Sequence, residues 1–362
     1  MKKLLTIILI SALAISSAAC SSKSSEGGST NETTVAETTT GKAELDKEKL
    51  DSTIKEHKFK GIVYITKDGK PIFESVTGKN ENGDALKIDS PMFIGSVSKQ
   101  FCAAGIMLLS EQGKLSVDDK LEKYYPEYKI GKDITLKNLL SMRSGILDMV
   151  NQAKVDGISE DKTDEENTKI IMNWIFKQEL QEKPDTHYKY SNTNYFLLSN
   201  IIEKLTGQKY IDFMRKNFFE PLKMNGTGSL DEISDSPKWA KEICVKESVE
   251  SVKGLTKGAG DIVSTAPDME KWMTGLSHGK VISEKSYGEM TKDYSPEDGA
   301  NYGFGLQQEY AGGAGHSGMI ATYVAHDYIN KDKGINLYAV TNKRFGEIDG
   351  LPALLLSDII GE

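Results

Sequence analysis

Cysteine is scarce, with three residues in 362, at positions 20, 102 and 244. That excludes a disulfide framework and a cysteine-rich zinc site. Cys102, in an apolar stretch, reads as a small buried hydrophobe, with a bridge to Cys244 as the alternative. Histidine is nearly as sparse: five residues lie scattered at 57, 187, 278, 316 and 326, none at metal-ligand spacing. No metal and no cofactor are expected. Positive charge is in deficit, 45 Lys and Arg against 53 Asp and Glu, for a formal charge of −8. A chain of that sign lacks the electrostatic footprint of a nucleic-acid binder. No internal repeat recurs. The leading apolar run, residues 4–15, covers only 12 positions, whereas a membrane-spanning helix takes about 20.

What is there begins with a targeting pattern. Lys2 and Lys3 precede the apolar run, and Ser17-Ala18-Ala19 leads to Cys20. This is a secretory leader, residues 1–20, resembling a bacterial lipobox in which Cys20 is lipidated. The expected product sits on the extracytoplasmic face, held to the membrane by a lipid anchor, or is secreted if Cys20 stays unmodified. Residues 21–43, rich in Ser, Thr, Gly and Glu, cannot bury enough surface to fold. They suit a tether with a reach of about 25 Å.

The remaining chain, 44–362, reads as one α/β (α+β) domain. An amphipathic helix is expected over 43–58, then a hairpin of 61–66 and 71–76 about Lys67-Asp68-Gly69. Helices are expected at 117–124, at 136–141 behind Thr135, and near 168–181, 194–206 and 209–219. Gly207 stops one of these and Pro221 marks the end of the next. Thr265 caps a further helix with Pro267 in its first turn. Residues 156–168 read as a solvated loop. Strand character returns at 302–308, 319–325 and 335–341, and a last helix lies at 351–360. Strands at both ends and helices between them predict an antiparallel sheet built from both termini. Helices flank it, a mostly helical subdomain is inserted at about 97–260, and a cleft lies between the two parts.

Three short motifs carry chemistry. Phe93-Ile94-Gly95-Ser96-Val97-Ser98-Lys99 places Ser96 and Lys99 on one face of a helix that continues apolar through Leu109. A serine hydroxyl needs activation, which a helix N-terminus, a nearby ammonium or a neutral amine can supply. The same Ser-x-x-Lys spacing at Ser52/Lys55, Ser159/Lys162 and Ser277/Lys280 reads as surface polar pairs. Tyr190-Ser191-Asn192 offers a phenol for proton relay, if an adjacent ammonium lowers its pKa. It also offers an amide able to donate to and accept from a substrate. The similar Tyr328-Ile329-Asn330 reads as a surface hairpin. His316-Ser317-Gly318 follows Gly312-Gly313-Ala314-Gly315 and opens a strand. Gly318 admits a close backbone approach, and the Met319 amide can join that of Ser96 as an oxyanion hole. His316 can bind a carboxylate or order a hydroxyl network. Gly258-Ala259-Gly260 reads as a tight approach.

The order and spacing of these motifs resemble the serine β-lactamase and penicillin-binding-protein superfamily, especially its class C β-lactamase and D-alanyl-D-alanine peptidase branch. The resemblance extends to GSVSKQFCAAGIMLLSEQGKLSVDD from Gly95, ITLKNLLSMRSGI from Ile134, YSNTNYFLLSNIIEKLTG from Tyr190, EPLKM from Glu220, STAPDMEKW from Ser264 and YGFGL from Tyr302. It implies a β-lactamase/transpeptidase-like fold and an acyl-enzyme on Ser96, formed on amide or ester substrates such as D-amino-acid peptides or β-lactams. Lys99 and Tyr190 would share the proton work, Asn192 would hold the substrate amide, and His316, Gly318 and Met319 would complete the binding site. His-Ser-Gly replaces the Lys-Thr-Gly of many members, Met142-Arg143-Ser144-Gly145 replaces His-Thr-Ser-Gly, and Pro184-Asp185 replaces Pro-Gly. The expected partner is a small-molecule or peptide substrate; no oligomeric state follows. The rival reading is a catalytically inactive ligand-binding or sensor lipoprotein of the same fold.

Overall fold

The computed structural model describes residues 45–150, 155–159, 161–234, 254–343, 348 and 350–360. The leader, Cys20, the tether and Cys244 lie outside the described residues. The first helix, Lys47–Glu56, is capped by Asp46, whose carboxylate accepts from the Lys49 amide at 2.9 Å. It buries Leu50 and Ile54. Strands β1 (Ile62–Lys67) and β2 (Lys70–Val76) form the expected hairpin. Two-residue β3 (Met92–Phe93), β4 (Gly228–Ser229) and three-residue β5 (Ile262–Ser264) make a small separate sheet in the order β3-β5-β4. From the C-terminal part come β6 (Gln307–Gln308), β7 (Ala314–Ile320), β8 (Tyr323–Asn330) and β9 (Ile335–Thr341).

The main sheet has six strands in the order β2-β1-β9-β8-β7-β6, and each neighbouring pair is antiparallel. Both chain ends therefore build it, as expected: β1 lies against β9 with Ile62 opposite Val340. Every residue of β9 is buried, the mark of a strand covered on both faces. The Ala266–Ser277 helix packs on β1, β8 and β9. The Leu351–Ile360 helix packs on the first helix, where Asp358 meets Thr53 and Lys49.

Helices fill most of the intervening chain. Ser98–Glu111 is buried along nearly its whole length, and Phe101 stacks on Trp272 with ring centroids 3.7 Å apart. Gly105 brings it against neighbouring helices: a Cβ there would stand 2.8 Å from Met214 and 3.0 Å from Ile202. Thr135 and Thr265 cap their helices, and Gly207 ends Asn192–Thr206 in the left-handed region at φ 67°.

Several expectations need correction. Residues 117–124 hold only a 3-10 turn, Leu121–Lys123, because Ser116 and Asp119 close a local turn through side chain and backbone. A helix starts within the supposed loop, at Asp164–Ile175, behind a Thr163/Glu166 capping box. Only Gln307–Gln308 is strand within 302–308. Gly303 there lies so near the Met290 carbonyl that a Cβ would stand 2.0 Å away. The strand expected at 319–325 is present but interrupted: it spans the end of β7 and the start of β8, joined by a turn at Ala321-Thr322 with Ala321 at φ 50°. His316 is thus inside a strand rather than at its start. Tyr328 and Asn330 are buried in β8, not in a surface hairpin. Cys102 is a buried free thiol, as its apolar neighbours suggested.

Phe101→Ala should cost about 3–5 kcal/mol by removing a stacked, fully buried ring. A urea titration checks this as a lowered midpoint with an unchanged slope.

Candidate active site

Ser96 lies in a 3-10 turn, Gly95–Val97, between β3 and the buried Ser98–Glu111 helix. The turn is clamped from two sides. The small sheet holds it through Ile94 N to Ile262 O at 3.1 Å and Ile262 N to Ser98 Oγ at 3.2 Å. The main sheet presses on it at β7. Gly95 has φ +52°, and a Cβ on it would stand 2.6 Å from the Met319 nitrogen. A Cβ on Gly318 would meet Ile94 O at 2.0 Å and Ser96 N at 2.8 Å. Only glycine fits either position, and the contact brings the amides of Ser96 and Met319 to one backbone junction.

Around the Ser96 hydroxyl the motif residues converge. Lys99 Nζ donates to Ser96 Oγ at 3.1 Å, to Asn192 Oδ1 at 2.8 Å and to the Ala259 carbonyl at 2.6 Å. Tyr190 donates its hydroxyl to Ser96 Oγ at 2.8 Å, and the Lys99 amine sits 4.9 Å from the Tyr190 ring centroid. Lys99 is fully buried, and burial lowers its pKa to about 7, partly offset by the charges of Asp148 and Asp261. The Tyr190 phenol behaves oppositely to expectation. Burial drives its pKa well above the ordinary tyrosine value, outweighing its hydrogen bond to Ser96. The amine is thus poised between its charged and free forms near neutrality, while the phenol keeps its proton.

Asn192 caps no empty space. Its Oδ1 accepts from Lys99, and its Nδ2 reaches both oxygens of Asp148 at 3.3 and 3.2 Å. Asp148 also accepts from the Asn192 backbone amide at 3.2 Å. This buried carboxylate is a site residue that sequence reasoning missed. It lies just beyond the Ile134–Ile146 block, in a loop whose path the sequence does not declare.

His316 points into the protein, bonded to Tyr302 through Nε2 at 3.1 Å and to the Ser317 carbonyl through Nδ1 at 2.5 Å. A carbonyl only accepts, so Nδ1 carries the proton and Nε2 accepts from the Tyr302 hydroxyl. Burial and the nearby Lys99 charge lower the imidazole pKa to about 3, so it is neutral. Its backbone amide donates to Asp327 at 3.0 Å. Asp327 in turn receives the Gln100 amide at 2.7 and 2.8 Å, and Gln100 accepts from Trp272 at 3.0 Å. Gln100, Asp327 and Tyr302 are further residues the motifs did not reveal. Among the described residues no cluster of His, Cys, Asp and Glu could hold a metal ion.

The Beta-lactamase family pattern matches residues 45–356. The chain belongs to the Beta-lactamase family. Within that family it is 26% identical over 266 residues to the teichoic acid D-alanine hydrolase of Staphylococcus aureus, covering 70% of this chain and 64% of that one. The chain spans less than two thirds of the length of curated relatives it matches, 38% for penicillin-binding protein 4* of Bacillus subtilis. Its fold matches the octameric penicillin-binding protein homologue of Pyrococcus abyssi, with TM-score 0.73, 26% identity and coverage of 88% and 78% of the two chains. It also matches D-amino acid amidase of Ochrobactrum anthropi, with TM-score 0.71, 22% identity and coverage of 86% and 99%.

Asp148→Ala should destabilise this Beta-lactamase-family chain by about 1–3 kcal/mol, because the buried Asn192 amide loses its acceptor. A urea titration reads it; an unchanged midpoint would show that the carboxylate does not hold Asn192.

Proposed function

We propose that the protein is an exported serine hydrolase that transfers acyl groups through a covalent intermediate on Ser96. The observation that carries this reading is the Ser96 hydroxyl between the Lys99 amine at 3.1 Å and the Tyr190 phenol at 2.8 Å. Free amine at Lys99 takes the hydroxyl proton as Ser96 Oγ bonds to the substrate carbonyl carbon. The carbonyl π electrons move onto oxygen, where the Ser96 and Met319 amides stabilise the charge, each by about 3–4 kcal/mol. Collapse expels the leaving group, which takes a proton relayed from Lys99 through the Tyr190 hydroxyl. Water, deprotonated by the same groups, attacks the acyl-enzyme and releases the acid. Asn192 and Asp148 hold the amine in place, and Gly318 keeps the strand close. Cys20 is assigned as the lipid attachment point on the extracytoplasmic face; among the described residues no helix is long and apolar enough to cross a membrane.

Substrates are proposed to be D-amino-acyl esters or amides. The names of the relatives, a teichoic acid D-alanine hydrolase and a D-amino acid amidase, support that class. The neutral imidazole of His316 supports it as well: the position filled in many members by a cation carries no charge here to attract a substrate carboxylate.

Intact-mass measurement after incubation with a fluorophosphonate should show one adduct on the wild type and none on Ser96→Ala; an adduct on the variant would falsify the assignment. The labelling rate should climb through about pH 7 as Lys99 loses its proton. A rate flat across neutrality would remove Lys99 as the base. His316→Lys should raise the rate of acylation by a penicillin, which bears a carboxylate, by about tenfold relative to the fluorophosphonate. Equal rates would mean that this position does not meet the carboxylate.

A further inference from the structure

A third group holds Lys99, and a tightly built turn supports it. The Ala259 carbonyl takes the shortest of the three Lys99 bonds, 2.6 Å. Ala259 belongs to a turn in which both its amide and that of Gly260 donate to Thr256 O, at 2.7 and 2.8 Å. Asp261 closes the turn, its Oδ1 accepting from the Gly258 amide at 3.0 Å. The turn has no slack: Gly258 has φ +73°, and a Cβ there would stand 2.6 Å from the Ser199 Cβ and 2.8 Å from Tyr195 O. The next residue, Ile262, is bonded to Ser98 and Ile94 on the nucleophile side. Asp261 therefore sits at the junction between the turn that grips the amine and the strand that holds the nucleophile.

Its charge also lies inside the same cluster. Asp261 faces Lys99 and Cys102 on the Ser98–Glu111 helix, Tyr210 on the helix packed against it, and Lys257 in its own segment. Asp148 faces Lys99 from a different loop. Lys257 is committed elsewhere, to Glu203 at 2.7 Å and Asn200 at 2.8 Å. We propose that Asp261 is a positioning residue for the catalytic base: it locks the turn that presents the Ala259 carbonyl to Lys99, and its carboxylate biases the amine toward the ammonium form. The inference rests on the acyl-transfer reading of Ser96. Burial raises the Asp261 carboxyl pKa to about 7, against the opposing pull of its backbone hydrogen bonds and of the Lys257 and Lys99 charges.

The two contributions separate in two variants. Asp261→Asn keeps an oxygen for the Gly258 amide and removes the charge; Asp261→Ala removes both. The readout is the second-order rate of fluorophosphonate labelling from about pH 5 to about pH 10, with thermal melts to confirm folding. Asp261→Asn should move the rising limb to lower pH by roughly half a unit or more, because an amine without its counter-charge releases its proton sooner. An unmoved midpoint overturns the electrostatic role. Asp261→Ala should label at least about tenfold more slowly at its plateau than Asp261→Asn, as a loosened grip on the base misplaces it. Equal plateaus overturn the positioning role. Ser96→Ala in the same series, unlabelled at every pH, attributes these outcomes to Asp261; labelling of that variant would instead refute the reading of the nucleophile.

Discussion

An ammonium withdrawn from water loses hydration worth several kcal/mol, and Lys99 is withdrawn completely. Everything around it answers that penalty in part. Ser96, Asn192 and Ala259 each supply an oxygen to the amine, and Asp148 supplies a negative charge through Asn192. The compensation is incomplete, which leaves the pKa near 7 rather than at the ordinary lysine value. A fully compensated lysine would remain an ammonium and could take no proton; an uncompensated one would be free amine but poorly held. Lys99 is held in the intermediate condition, set by the balance of burial against neighbouring dipoles and charges.

The same balance explains why the phenol and the imidazole stay neutral. Burial penalises a phenolate at Tyr190 and an imidazolium at His316, and the Lys99 charge adds to the penalty at His316. Their hydrogen bonds are therefore those of neutral groups: the Tyr190 hydroxyl donates to Ser96, and His316 Nε2 accepts from Tyr302. Order is supplied from behind by Gln100, Asp327 and Trp272, which connect the helix of Lys99 to the strand of His316. One helical position next to Lys99 thus ties the site to the sheet.

Much of this was legible in the sequence because glycine, serine and lysine at short spacing constrain a local backbone. Ser96 with Lys99, the Gly258-Ala259-Gly260 approach and the Gly318 contact are of that kind, as are the Thr135 and Thr265 caps. The sheet built from both termini followed from strand patterning at the two ends. What stayed hidden depends on contacts between distant loops. Asp148 is an ordinary acidic residue until the fold brings Asn192 to it, and Gln100 reads as one polar residue among apolar neighbours until Asp327 arrives. Protonation states were hidden for a related reason: burial, which motifs do not encode, decided against a lowered phenol pKa. The misread element at 117–124 failed where Ser116 and Asp119 offered the backbone a local alternative to a helix.

The sheet is completed by pairing β1 with β9, and the Lys99 amine is gripped by a carbonyl 160 residues downstream of it. Gln100 meets its carboxylate partner at a separation of 227 residues. Lys99 stands three residues from Ser96 on its own helix, but Asn192, Ala259 and the β7 backbone reach the pair only from much later in the chain. Such distant pairings also form slowly, since loop closure precedes any reward from the contact. The arrangement at Ser96 is thus a property of the whole chain, complete only when the C-terminal strands have docked on the N-terminal hairpin.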